Sequence, residues 1–155
     1  MPPTAALKQP NLPLSKFLCF AVYSANLAFG RAYKPLLDAL GLTYTQYIAL
    51  VALSDADELT VGALGERLFL ESNTLTPILK KLESSGFITR RRDPADERQV
   101  RVALTPAGRK LLATDISSTM FEATGLGEEF EEVQETVTRL RDNLMRSGQA
   151  ETTPR

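Results

Sequence analysis

The 155-residue sequence has no histidine, no tryptophan and a single cysteine, Cys19. One cysteine excludes an intrachain disulfide, and without histidine the usual ligand sets for zinc are missing, so neither a metal site nor a cofactor is expected. The same scarcity weighs against an enzyme. A thiol peroxidase built on Cys19 alone would react once, because it has no resolving cysteine and no histidine to carry protons through turnover. Long apolar runs are missing too: the longest candidate, residues 18–30, is too short to cross a bilayer and contains Ser24 and Asn26. No basic N-terminal region leads into a cleavable apolar stretch, so a cytoplasmic protein with no membrane partner is expected.

Hydrophobic residues make up 43% of the chain, enough for the core of one ordinary domain. The formal net charge of −1 conceals an uneven distribution. Residues 60–110 carry 10 Lys/Arg against 6 Asp/Glu, residues 111–155 carry 4 against 9, and the first 59 residues balance at 4 against 4. A basic middle segment between neutral and acidic ends is the pattern of a localised phosphate-binding face.

Residues 1–13, with Pro2, Pro3, Pro10 and Pro13, read as an irregular, flexible arm. A helical period begins at Leu14 and runs through Phe17, Leu18, Ala21, Ala25, Ala28 and Phe29. Pro35 either kinks this helix or opens a second one, and Gly41 ends it. Thr43 and Gln46 have capping-box spacing for a helix over 44–53. Thr60 is placed to cap the next helix, whose inward face is Val61, Leu64 and Leu68. After a turn at 69–72 a second short helix buries Leu75, Ile78, Leu79 and Leu82 and ends at Gly86 in a left-handed conformation. Two short helices across a tight turn form a helix-turn-helix pattern, the second exposing Ser72, Asn73, Thr74, Thr76, Lys80 and Lys81.

Strand character follows at 87–90 and 99–104, where Val100, Val102 and Leu104 alternate with Arg101 and Ala103. Between them lies a tip rich in arginine, so the pair reads as a β-hairpin wing. Thr105-Pro106 starts a helix running from Ala107 towards Ala123; Gly125 and Gly127 interrupt it, and an acidic helix runs from Glu128 to Arg146 before a frayed tail over 147–155. The expected fold is mainly α with a small β wing (α+β): a winged helix-turn-helix within one domain at 14–146. Residues 60–105 hold the reading head, and 14–40 and 107–146 hold dimerisation helices. The end helices exceed what a winged domain needs for its core, so Phe17, Phe20, Phe121, Phe130, Val133, Val137 and Leu140 are expected to bury against a second copy, giving a homodimer.

The recognition helix would offer Ser72, Asn73, Thr74 and Thr76 to base edges or phosphates, with Lys80 and Lys81 on the backbone; Ser72 could instead merely cap its helix. Arg98 at the tip can enter a narrow minor groove, Asp96 can brace it, and Arg90, Arg91 and Arg92 suit phosphates. The expected partner is double-stranded DNA, and a two-fold dimer needs a pseudopalindromic operator with half-sites about one helical turn apart. Cys19 sits in an apolar helix, where a free cysteine is often a small core residue. The four tyrosines, Tyr23, Tyr33, Tyr44 and Tyr47, all lie within 28 residues of it. Phenolic donors stabilise a thiolate, so a redox-sensing role also stands.

The stretch Phe69-Leu70-Glu71-Ser72-Asn73-Thr74-Leu75-Thr76-Pro77-Ile78-Leu79-Lys80-Lys81-Leu82-Glu83, with Gly86-Phe87-Ile88 and the Asp93 to Arg98 tip, resembles the MarR family of winged-helix repressors. Together with Phe17-Leu18-Cys19-Phe20 it is closest to the organic hydroperoxide-sensing, OhrR-like branch. The resemblance covers residues 14–112 well and the C-terminal helices in layout only. It implies that Cys19 is the redox-sensing residue and that Tyr33 and Tyr44 give it activating hydrogen bonds from the partner subunit. It also implies that Asp96 and Arg98 are the wing pair. It further implies a repressor that responds to oxidative stress by releasing a peroxide-detoxification gene. Two-cysteine members carry a resolving cysteine that this chain lacks, so oxidised Cys19 would be captured by a low-molecular-weight thiol, condense with a backbone amide or oxidise further. The alternative is a MarR-type repressor released by a small aromatic ligand, with Cys19 incidental.

Overall fold

In the computed structural model, which describes residues 12–150, helix α1 (Leu18–Asp38) follows a single 3-10 turn at Leu14–Lys16. Helix formation thus starts later than the apolar period suggests, because Phe17 is extended and redirects the chain. Pro35 lies in the last turn of α1 without ending it; its φ is already helical and only one backbone donor is lost. Residues 1–11 of the expected arm and 151–155 of the expected tail lie outside the described residues.

Helix α2 (Tyr44–Ser54) opens on the expected capping box: Gln46 N–H donates to the Thr43 hydroxyl, and the Thr43 N–H donates to the Gln46 side chain. Helix α3 (Val61–Leu68) is capped by Thr60, whose hydroxyl accepts from Ala63 N–H at 3.1 Å. The turn to helix α4 (Ser72–Ser84) is tight enough that a Cβ on Gly65 would sit 2.7 Å from the Leu70 carbonyl, and Phe69 is driven into the left-handed region at φ 57°. Glu71, not Ser72, occupies the N-cap of α4 without a side-chain cap; the Thr74 N–H donates to the Glu71 carbonyl at 3.0 Å, and no side chain caps the Ser72 and Asn73 N–H groups ahead of it.

The sheet has three strands where the sequence suggests two. β2 (Ile88–Arg92) and β3 (Val100–Leu104) form the hairpin, and β1 (Leu59–Thr60) joins the other side of β3, all antiparallel in the order β1-β3-β2. Two residues cannot display alternation, which is why β1 leaves no signal of its own. Strand β2 extends two residues further than expected, so Arg91 and Arg92 belong to the strand and only 93–99 form the tip.

The chain divides between Thr114 and Asp115 into two compact units. In the first, Leu50, Leu53, Leu64, Leu75, Leu79, Leu82, Ile88 and Val102 are fully buried, so one core holds α2, the helix-turn-helix and the hairpin together. Helix α5 (Pro106–Leu112) is docked on that core by Thr105. Its hydroxyl accepts from Gly108 N–H and donates to the Gly86 carbonyl at 2.6 Å, while its N–H donates to the Phe87 carbonyl.

The helix expected from Ala107 to Ala123 is broken in the structure. Asp115 caps a new helix, α6 (Ile116–Thr124), by accepting from the Ser118 N–H and from the Ser117 and Ser118 hydroxyls, and that local competition ends α5 at Leu112. Gly125 and Gly127, both with positive φ, separate α6 from a 3-10 turn at Gly127–Glu129 and helix α7 (Phe130–Ala150). Residues 147–150 are therefore helical, not frayed. Within the second unit Phe121 and Phe130 pack edge to face with ring centroids 4.9 Å apart.

Gly108 allows the close approach of α5 to β2, since a Cβ there would lie 2.3 Å from the Phe87 carbonyl oxygen. Gly108→Ala should cost about 1–3 kcal/mol of unfolding free energy through overpacking. Gly62→Ala, in α3 with nothing within 4 Å, should instead add about 0.5–1 kcal/mol from helix propensity. Urea unfolding of the two variants checks both signs, and equal effects would refute the packing argument.

Candidate functional site

Helix α4 presents Ser72, Asn73 and Thr74 in its exposed first turn and Lys80 and Lys81 further along the exposed surface. Its inner side is fixed by Leu75, Leu79 and Leu82. The Thr76 hydroxyl donates to the Ser72 carbonyl at 2.7 Å, which leaves it free to accept but commits its proton. Pro77, which the sequence reading passed over, is also exposed and shares the face of Asn73 and Lys80.

The wing treats its arginines very differently. Arg98 at the tip has a side chain that is 92% exposed, and its backbone N–H and Nε both donate to Asp96 Oδ1, at 3.1 and 3.3 Å. Arg92 reaches the Glu97 carbonyl only at 3.4 Å. Arg91 pairs with Glu58, just before β1, at 2.9 Å. Arg90 is turned inward: Glu83, on the last turn of α4, accepts from both its guanidinium at 3.0 Å and its backbone N–H at 3.2 Å. That pair ties the recognition helix to the wing, so Arg90 acts within the protein more than towards a phosphate. The hydrogen bonds from Arg90 hold the Glu83 carboxyl below the ordinary range.

Sequence reasoning missed the residues that support the wing from below. Asp93 is buried at 5% exposure, its carboxylate accepting from the Ala95 N–H at 2.9 Å and from Arg101 Nε at 2.8 Å. The Ala95 N–H, then Arg101 and more distantly Arg91, keep this carboxyl below the usual carboxylate range against the opposing cost of burial. A signal for this was present: Asp-Pro-Ala after a strand is Asx-turn chemistry, and Arg91 and Arg101 fall directly opposite each other in the hairpin.

Cys19 is exposed in the first turn of α1. Phe17, Leu18, Phe20 and Val22 beside it are exposed as well. Tyr33 lies 14 residues further along the same helix, roughly 21 Å at 1.5 Å per residue, so it does not reach Cys19 within one chain. Tyr33 and Tyr44 do come together, with ring centroids 5.0 Å apart, and Tyr47 completes the cluster 6.0 Å from Tyr33. Burial, reinforced by Tyr44 and Tyr47, pushes the Tyr33 phenol upward, so it remains a proton donor throughout the neutral range. Helix α7 also leaves Val133, Val137, Leu144 and Met145 exposed.

Comparison with known proteins agrees with this geometry. Residues 31–114 match the family model described as the transcriptional regulator SarA/Rot. The organic hydroperoxide resistance transcriptional regulator of Bacillus subtilis (strain 168) is 40% identical over 140 residues, covering 88% of this chain and 95% of its own. The regulator TtmR of Methylorubrum extorquens (strain PA1) is 55% identical over 98 residues, 63% of this chain, and the match spans half of TtmR's length. Among solved structures, reduced AbfR bound to DNA superposes with a TM-score of 0.69 at 34% identity, covering 86% of this chain and 94% of AbfR.

Glu83, Asp93 and Asp115 all have carboxyls lowered in the folded protein, Asp115 through its hydroxyl and N–H donors at Ser118 and Ser117. Each such group stabilises the fold above its unfolded pKa and loses that contribution as pH falls through the folded value. The thermal midpoint should therefore be level near neutrality and fall as pH drops below about 4. Glu83→Gln should shallow that acid slope; an unchanged slope in a melting series from pH 7 downward would show that the Glu83–Arg90 pair contributes nothing.

Proposed function

Because the chain belongs to the MarR-type winged-helix transcriptional regulators and matches the SarA/Rot regulator family, we propose that it is a DNA-binding repressor released when an organic hydroperoxide oxidises Cys19. The observation that carries this reading is the exposed thiol on an apolar surface at the start of α1. An apolar approach favours hydroperoxides with a hydrocarbon tail over hydrogen peroxide. The relative from Bacillus subtilis is named for organic hydroperoxide resistance, and AbfR has been solved in reduced, overoxidized and disulfide forms.

The chemistry balances without a cofactor. The Cys19 thiol gives up its proton, the thiolate attacks the terminal oxygen of the hydroperoxide, the O–O bond breaks, the departing alkoxide takes up that proton and leaves as alcohol, and the sulfur becomes a sulfenic acid. With no second cysteine in the sequence, a low-molecular-weight thiol then forms a mixed disulfide and releases water. The alternative fates are condensation with a backbone amide and further oxidation.

Activation of Cys19 requires a homodimer. Tyr33 and Tyr44 are out of reach within one chain, whereas a second copy seated on the exposed apolar side of α1 can bring its tyrosines to the thiol. Phe17 and Phe20 supply exposed apolar area for that contact, and the second unit exposes apolar area of its own at Phe121, Val133 and Val137. The dimer places two α4 helices in successive major grooves of a pseudopalindromic operator, roughly 34–36 Å apart. Ser72, Asn73 and Thr74 face base edges or adjacent phosphates, and Thr76 offers an acceptor to a base-edge donor; Lys80, Lys81 and Arg92 lie along the backbone; Arg98, braced by Asp96, enters the minor groove.

Two outcomes test this reading. Light scattering at neutral pH should give twice the chain mass, and a monomer would remove the source of the activating tyrosines. Cys19→Ser should bind DNA like the wild type but remain bound in cumene hydroperoxide, as followed by fluorescence anisotropy. Release of the variant at the wild-type dose would exclude thiol sensing, and release by an aromatic acid instead would favour a ligand-operated repressor.

A further inference from the structure

We infer that Asp93, held by Arg101, is a positioning residue that sets the path of Arg98 into DNA. This rests on the reading of Arg98 as the groove-entering residue and assigns its aim to a different pair from the Asp96 brace. Among the described residues Asp93 is the only buried charged one. A buried carboxylate is costly unless its partners are fixed, and here they are: Arg101 on β3 and the Ala95 N–H, one on each oxygen.

The tip is built outward from that point. The Asp93 N–H donates to the Gln99 carbonyl at 2.9 Å and closes the base of the loop. Asp93 Oδ1 folds the first half by capturing the N–H two residues on, and Asp96 Oδ1 repeats the same turn by capturing the Arg98 N–H. The Gln99 N–H donates to the Asp96 carbonyl at 2.9 Å and closes the second turn, whose end is tied back to the first by the Asp93 N–H on the Gln99 carbonyl. Arg98 itself is almost wholly exposed, so nothing but the backbone beneath it and the single contact with Asp96 directs its guanidinium. Removing the Asp93 anchor releases the first turn of the series and lets the Arg98 backbone wander.

Asn at position 93 is a sharp probe. Its amide has one acceptor oxygen, so it satisfies either the Ala95 N–H or Arg101 Nε, and turns a donor towards the other. Arg101→Gln removes the cation from the opposite side and serves where Asp93→Asn does not fold. Thermal melts establish that each variant is folded.

The experiment is a double-mutant cycle with Arg98→Ala, read by anisotropy on a duplex recovered from a random-sequence pool by the wild-type protein. In the wild-type background Asp93→Asn or Arg101→Gln should weaken binding roughly two- to tenfold, the ordering cost of one long side chain. The dependence of affinity on salt should become shallower, towards that of Arg98→Ala. In the Arg98→Ala background the same substitutions should change nothing. Equal losses in both backgrounds overturn the positioning role, because a structural defect or a direct Arg101 contact acts whether or not Arg98 is present. Full affinity in Arg98→Ala alone overturns the groove reading and this inference with it, whereas a loss in Arg98→Ala with none in Asp93→Asn or Arg101→Gln overturns only the inference.

Discussion

Arg91 and Arg101 face each other across β2 and β3, and the wing depends on how that juxtaposition of like charges is resolved. Directly opposed arginines destabilise a hairpin unless each has its own counterion. Glu58 supplies one from the segment before β1, and Asp93 supplies the other from the first residue of the tip. One carboxylate precedes β1 and the other opens the tip, so neutralising the hairpin also ties it to the segment that leads from α2 into β1 and folds its tip. The Glu83–Arg90 pair adds a third tie, from the wing to the end of the recognition helix. Ion pairs at a protein surface contribute little to stability, but three that share one short hairpin restrict its direction.

This division of labour explains why the wing can be basic without being a disordered loop. Arg90, Arg91 and Arg101 are committed to carboxylates of the chain, and Arg98 projects beyond them. A hairpin whose arginines were all free would repel itself in the absence of DNA and pay its ordering cost on binding. The acidic residues at 58, 83 and 93 therefore belong to the DNA-binding apparatus although they oppose DNA electrostatically. Counting net charge over residues 60–110 finds the basic segment but not this internal cancellation.

Much of the fold was legible because its signals are local. Thr43 with Gln46, Thr60, Gly86 and Thr105-Pro106 each mark a boundary through chemistry confined to four residues or fewer, and each is found there. What escaped was set by partners distant in sequence. β1 exists because Leu59 meets Val102, 43 positions later, and Arg91 lies 33 positions from Glu58. The break at Asp115 was local but was obscured by continuous helical periodicity on both sides. Of the candidate site, the exposed face of α4 and the Asp96–Arg98 contact follow from residue type and spacing. The inward turn of Arg90 does not, since nothing in Arg90-Arg91-Arg92 distinguishes the first arginine from the other two.

Helix α2 carries at one end the tyrosines proposed to serve Cys19 and leads at the other to a counterion of the wing. Tyr44 and Tyr47 stand at the start of α2, its middle is clamped by Ala49, Leu50 and Leu53, and four residues beyond its end Glu58 holds Arg91. A packed helix of this kind moves as a body or not at all, because its side chains interlock with neighbours on several elements. If oxidation of Cys19 changes what the partner's tyrosines can bond, the displacement enters at the Tyr44 end and leaves at Glu58. The wing need not melt for DNA to be released. A small rotation of α2 re-aims two hairpins at once in a two-fold dimer, and grooves at fixed spacing accept only one setting of both.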